Sequence, residues 1–186
     1  MVIQAGSLRS SLAFLMKEAV SNKSMQLLIN RQKGKIKLKT TMTREEREEF
    51  LAEVRIGIVS IPEEGRGPLT VPVWYLYEPG SELRIWTGSR SRKGILLRSA
   101  KRISLVVQEP TPPYKYVSVE GPVSIEPVHF ERDVRSLAYR YLGQESGEQY
   151  LKDIGGSAGV GEDILVRLQP ERWLTVDYSK LSPPIK

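Results

Sequence analysis

The sequence predicts a mainly β domain, in which an antiparallel sheet closes as a barrel and helices flank it. Three observations lead there. About seven short runs rich in β-branched and aromatic residues recur between residues 55 and 178. Most are separated by hairpin-length turns, which join antiparallel strands. About four helical segments are interspersed, the first opened by a capping box.

The elements follow in order. Thr43-Arg44-Glu45-Glu46 has Thr43 as N-cap and Glu46 three residues on, opening a helix over 44–53 with Phe50 and Leu51 on its apolar side. A strand over 55–61 carries Ile56, Ile58 and Val59, and Pro62 to Gly67 make a turn. Residues 69–77 are β-branched and aromatic, but Pro68 and Pro72 mark them as an edge or an interrupted strand. Glu78-Pro79-Gly80-Ser81 turns the chain into a strand over 82–87. A helix over 92–99 and a strand over 102–108 come next, then a proline-rich loop. The long strand over 114–125 alternates Tyr116, Ser118 and Glu120 against Val117, Val119 and Gly121. Pro127 fits the first turn of a helix running to Tyr141. A second helix over 145–154 follows Gly143, and strands over 163–168 and 173–178 end the domain. Gly155 to Gly161 follow a helix and precede a strand, the reverse of the order a phosphate-binding turn needs, so they read as a loop over the site.

Composition narrows the chemistry. The 186 residues include no Cys and one His, His129. Disulfides, thiol catalysis, zinc sites and His-based triads are therefore not expected. An oxygen-only metal site would need clustered acids, and none stands out. Residues 1–41 hold eight basic residues and one acid, a net +7 against +6 for the whole chain, so the remainder is close to neutral. Basicity of the chain thus argues poorly for nucleic-acid binding by the domain. Residues 1–41 are expected to be a disordered basic tail, or upstream sequence ahead of a natural start at Met42, with the domain over 42–186. A native peptide from 1–41 would refute the second alternative. No apolar run approaches the roughly 20 residues of a membrane span, and a cytoplasmic protein is expected.

The segment Trp86-Thr87-Gly88-Ser89-Arg90-Ser91-Arg92-Lys93 lies between a strand and a helix. Backbone N–H groups at such a helix start favour an anion, Ser89 and Ser91 can cap, and Arg90, Arg92 and Lys93 bring positive charge. It reads as a phosphate seat.

Taken in order, the capped helix, Leu69-Thr70-Val71-Pro72-Val73-Trp74, Trp86-Thr87, Ser91-Arg92-Lys93, Arg102-Ile103-Ser104-Leu105 and Tyr116-Val117-Ser118-Val119-Glu120-Gly121 resemble the pyridoxamine 5′-phosphate oxidase-like split-barrel superfamily. The resemblance covers residues 43–180. It implies a Greek-key split barrel and a homodimer with flavin at the interface. It further implies cofactor contacts from Val71, Val73, Trp74, Trp86, Thr87, Ser91, Arg92, Lys93 and Tyr116, with Arg92 and Lys93 at the phosphate. The chain departs from the true oxidases in the strand over 70–75 and lacks their C-terminal Arg-x-His element. Its end resembles the branch that includes deazaflavin (coenzyme F420) reductases. Vitamin B6 oxidation is therefore not expected.

The expected activity is a flavin oxidoreductase using FMN, with F420 as the alternative cofactor, on a small organic substrate. A flavin-binding protein without turnover is the alternative function. No nucleic-acid or membrane partner is expected. No catalytic residue is singled out, because a flavin carries the hydride chemistry itself.

Overall fold

A computed structural model describes residues 40–181, all within one compact unit of the chain, Lys39–Lys186. The expected tail lies outside the described residues except for its last two positions.

Helix α1 (Arg44–Ala52) starts as the capping box requires: Thr43 Oγ1 accepts the Glu46 N–H, and the Glu46 carboxylate accepts the Thr43 N–H at 2.7 Å. Strands β1 (Gly57–Ile61) and β2 (Leu69–Val73) form a hairpin. Strand β3 (Leu83–Thr87), helix α2 (Arg92–Ser99), strand β4 (Arg102–Glu109) and strand β5 (Lys115–Pro127) follow. A π-helical stretch, Phe130–Arg135, runs into α3 (Ser136–Asp153), which breaks at Gly143 where φ is 75°. The short helix α4 (Gly156–Gly159) and strands β6 (Ile164–Leu168) and β7 (Arg172–Asp177) complete the domain.

All strand pairs are antiparallel, in the order β2-β1-β4-β5-β6-β3, with β7 also on β5. Strand β5 organises the fold. Its first half lies between β4 and β7, and from Val123 onward it pairs with β6. Gly121 stands at the change of partner, where a Cβ would collide with the Gln169 backbone. The two sheet ends approach through a bridge between Leu76 and Arg84, Leu76 N–H to Arg84 C=O at 2.8 Å, so the sheet curls into a split barrel. Val59, Leu105, Val117, Val119 and Val166 are fully buried inside it. Burial alternates along β5 as the sequence predicts, with Val117 and Val119 inward and Tyr116 and Ser118 partly exposed.

Three expectations change. Strand β2 ends at Val73 rather than Tyr77, because the Tyr75 N–H donates to the Tyr141 hydroxyl at 3.1 Å instead of to a ladder partner. Only some consecutive strands are hairpins: β1 pairs β2 and β4 pairs β5, whereas β6 and β7 each pair β5 and not one another. The helix after β5 begins later than Pro127, which remains in the strand.

Candidate functional site

Strand β2 leaves the sheet at Val73 and delivers Trp74 to the outside of the barrel. Tyr141 from α3 lies flat on it, ring centroids 4.9 Å apart and planes 3° apart. The Tyr141 hydroxyl donates to the Arg55 carbonyl at 2.8 Å, so the ring is fixed at both ends. Beyond the Gly143 break, Tyr150 reaches back with its centroid 5.6 Å from Trp74 and 6.5 Å from Trp86. Trp86 comes from the end of β3, and its indole N–H donates to the Asp163 carboxylate at 2.8 Å.

The basic turn follows at once. Ser91 caps α2, accepting the Gly94 N–H at 3.0 Å and donating to the Gly88 carbonyl at 2.7 Å, with the buried Thr87 hydroxyl 3.4 Å away. Gly94 allows this packing, since a Cβ there would strike the Gly88 carbonyl. Arg90 pairs with Glu162 at 2.6 Å on the exposed surface. Arg92 is committed elsewhere: its guanidinium donates to both Glu63 oxygens, at 2.7 and 3.0 Å, tying α2 to the β1–β2 loop. Lys93 differs from both. It makes no ion pair or hydrogen bond among the described residues, and burial pushes its ammonium below the usual lysine range.

These groups surround a cavity of about 500 Å3, lined by Ile56, Pro72, Val73, Trp74, Trp86, Lys93, Leu137 and Tyr150. That volume lies within the roughly 300–1,000 Å3 of small-molecule sites. Burial, and then the charge of Asp163, push the Tyr150 phenol above its usual range, so it keeps its proton at neutral pH.

Of the residues singled out from the sequence, Val73, Trp74, Trp86 and Lys93 line this cavity, and Thr87 and Ser91 frame the turn that delivers Lys93. Val71 on β2 pairs with Val59 on β1, and Tyr116 on β5 sits between Gln108 of β4 and Val176 of β7; neither is in the lining. Ile56, Pro72, Leu137 and Tyr150 complete the lining and were not among the residues singled out from the sequence. Gly143 was the one available signal for Tyr150, since a break there turns the following helix back toward the sheet.

Sequence reasoning also missed Asp133, which is fully buried. Arg132 and Arg84 reach its carboxylate at 2.8 and 3.3 Å, and the His129 N–H donates to it at 3.0 Å. His129 is the cap of this stretch, its Nδ1 accepting the Arg132 N–H at 3.2 Å. Burial raises the Asp133 pKa, but the Arg132 and His129 hydrogen bonds and the two cations outweigh it and leave the carboxyl below its usual range.

The sequence profile described as pyridoxamine 5′-phosphate oxidase matches residues 43–177, nearly the whole described domain. The chain belongs to this family. Among solved structures, a conserved hypothetical protein of Mycobacterium tuberculosis is 26% identical, with a TM-score of 0.65 over 79% of this chain and 92% of that one. An FAD- and heme-binding protein of Mycobacterium smegmatis shares the fold at 14% identity, with a TM-score of 0.55 over 75% of this chain and 73% of that one. An F420 reductase does so at 17% identity, with a TM-score of 0.50 over 68% of this chain and 94% of that one. No curated protein matches the chain.

Proposed function

We propose that this pyridoxamine 5′-phosphate oxidase family member is a flavin-dependent oxidoreductase. It holds FMN, or the deazaflavin F420, in the Trp74–Trp86–Lys93 cavity and passes hydride to or from a small organic substrate. The observation that carries this reading is Lys93, a half-buried ammonium with no acid partner among the described residues, beside three aromatic rings. A desolvated charge without a counter-ion is costly, and an anionic ligand group offsets that cost. Flat aromatic walls beside it suit a planar ring system. The names of the F420 reductase and the FAD- and heme-binding protein support the same cofactor class.

When bound, the cofactor supplies the hydride chemistry. The chain supplies the rest. Lys93 grips the anionic end, with the Ser91-capped start of α2 and the Thr87 hydroxyl beside it. Trp74 and Trp86 confine the ring, each held from behind, one by Tyr141 and the other by Asp163. Ile56, Pro72, Val73 and Leu137 exclude water. Tyr150 offers a protonated hydroxyl that can donate to the ring or to the substrate.

A homodimer is part of this proposal. Ile56, in the cavity lining, and Val54, two residues before it, are 47% and 57% exposed, apolar surface that a second copy would cover.

Titrating the purified chain with FMN and with F420, read by cofactor fluorescence, tests the reading. Saturable binding of one, weakened in Lys93→Gln, is expected; binding of neither sinks it. Anaerobic bleaching of the bound cofactor by candidate reductants then separates an enzyme from a flavin carrier without turnover.

A further inference from the structure

A second cavity, of about 250 Å3, opens between α1, the Glu78–Ser81 turn and the β6–β7 connection. Its lining includes Arg44, Arg47, Glu48, Tyr77, Gln169 and Trp173, and it shares no residue with the aromatic cavity. Its character is different too, because two guanidinium groups and one carboxylate face the space.

Those three charges are unevenly matched. The Arg44 Nε donates to the Glu48 carboxylate at 2.8 Å, one turn along α1, and the two neutralise each other. Arg47 is left over. Its guanidinium carbon lies 4.1 Å from the centroid of the Trp173 ring, so one face of the cation is covered by the indole. Its Nε is shielded from solvent and has no hydrogen-bond partner. The side chain makes no ion pair among the described residues. No side-chain hydrogen bond of Arg47 is made among the described residues, so the guanidinium N–H groups that line the cavity are available to an acceptor placed in it.

Stacking on Trp173 also holds the guanidinium plane, so its ordering entropy is already spent before a ligand arrives. A planar acceptor with two oxygens matches that fork, and a carboxylate has this shape. One net positive charge remains after the Arg44–Glu48 pair, which fits a monoanion. The cavity falls below the roughly 300 Å3 lower end of drug-sized sites, which excludes a flavin and suits a small acid. Tyr77 is 4% exposed, and burial pushes its phenol up, so it stays protonated and can act as a further donor.

We infer that Arg47, stacked on Trp173, is the anion grip of a second site that takes a small carboxylic acid in its ionised form. Tyr77 and Gln169 complete the polar wall. The site lies apart from the aromatic cavity and does not depend on the flavin reading.

The chain has three tryptophans, Trp74, Trp86 and Trp173. The double variant Trp74→Phe/Trp86→Phe makes Trp173 the sole indole and a direct reporter of this cavity. The full chain in that background is titrated with sodium acetate, and with sodium chloride at matched ionic strength. The expected result is a saturable change in Trp173 emission with acetate alone, half-complete at a concentration on the order of 1 mM. Arg47→Lys keeps the charge but loses the fork, and should weaken binding by about tenfold or more. Arg47→Gln should abolish it, with far-ultraviolet circular dichroism retained. Superimposable acetate and chloride curves would overturn the inference, as would an unchanged half-saturation in Arg47→Gln. If the double variant does not fold, calorimetric titration of acetate into the parent chain and into Arg47→Gln makes the same comparison. Equal heats from the two would refute it. Repeating the titration at two protein concentrations tests for an acidic side chain of a second copy in place of a free acid. An acetate affinity that falls as protein concentration rises, with sedimentation showing dissociation by acetate, would overturn the free-acid site.

Discussion

Trp74 and Tyr141 stack with their planes 3° from parallel, and the same Tyr141 hydroxyl takes the Tyr75 N–H that would otherwise continue strand β2. One side chain therefore ends the strand and sets the wall of the cavity. Tyr141→Phe should keep the stack and lose the hydroxyl's bonds to the backbone of Arg55 and Tyr75. A cost of about 1–3 kcal/mol is expected, at the upper part of that range if the Tyr75 N–H is left dry. Tyr141→Ala also removes the ring and should cost about 3–5 kcal/mol. Urea midpoints at constant m-value measure both. If Tyr141→Phe were as stable as the parent, the hydroxyl would not be what ends β2.

Arg92 and Lys93 are adjacent in sequence but do different work. Lys93→Gln should weaken cofactor binding by about 1.5–3 kcal/mol, the value of a charged hydrogen bond. Arg92→Gln should change cofactor affinity by less than about 1 kcal/mol, because Glu63 already holds that guanidinium and the pair is exposed. Cofactor titrations of the two variants side by side decide the matter. Equal losses would mean that Arg92 leaves Glu63 to bind the ligand.

How far the residues alone revealed this molecule depends on the range of the interaction. The Thr43–Glu46 box, the Ser91 cap, the alternation of Val117 and Val119, and the edge position of the Pro72 strand are local, and all were legible. The cavity wall was legible only where a strand end or turn marks itself, as at Trp74, Trp86 and Lys93. Tyr150 reaches the cavity because α3 breaks at Gly143 and turns back, a long-range event with little local trace, while Ile56 before β1 and Leu137 at the start of α3 meet there only through the packing of elements distant in sequence. The commitment of Arg92 to Glu63 was invisible for the same reason: 29 residues separate the partners. Arg92 and Lys93 look equivalent in sequence, and only the chain's path assigns one to an ion pair and the other to the cavity.

If Lys93 holds the cofactor as proposed, its lowered pKa should make cofactor binding pH-dependent. The ammonium, not the free amine, attracts an anion. Affinity should therefore be full below the Lys93 pKa of the free protein and fall as pH rises through it. Burial has moved that pKa below the usual lysine value of about 10.4, so the loss should begin at lower pH than for a surface lysine. Dissociation constants measured across the alkaline range check this, and Lys93→Gln should flatten the profile. A parent profile that does not change until lysines of ordinary pKa titrate would remove Lys93 from the anion grip.

Asp133 gives the corresponding prediction at acid pH. It is fully buried, salt-bridged to Arg132 and Arg84, and bonded to the His129 N–H. It joins the π-helical stretch to β3. Asp133→Ala removes the carboxylate's bonds to Arg132, Arg84 and the His129 N–H, but Arg132 keeps Glu126 and Arg84 keeps Glu78, so the cost at neutral pH should be about 1.5–3 kcal/mol. The sign of the pH effect follows from the depressed folded-state pKa. The contribution is fully present above the unfolded aspartate value of about 3.9 and is lost as pH falls from there through the folded value. Asp133→Asn should thus be less stable than the parent at pH 7, and the gap between them should narrow below about pH 4. Urea midpoints of parent and variant at neutral and acid pH give the comparison. A gap that stays constant across that range would mean that the carboxylate's charge contributes nothing, and that the site is held by packing and the His129 cap alone.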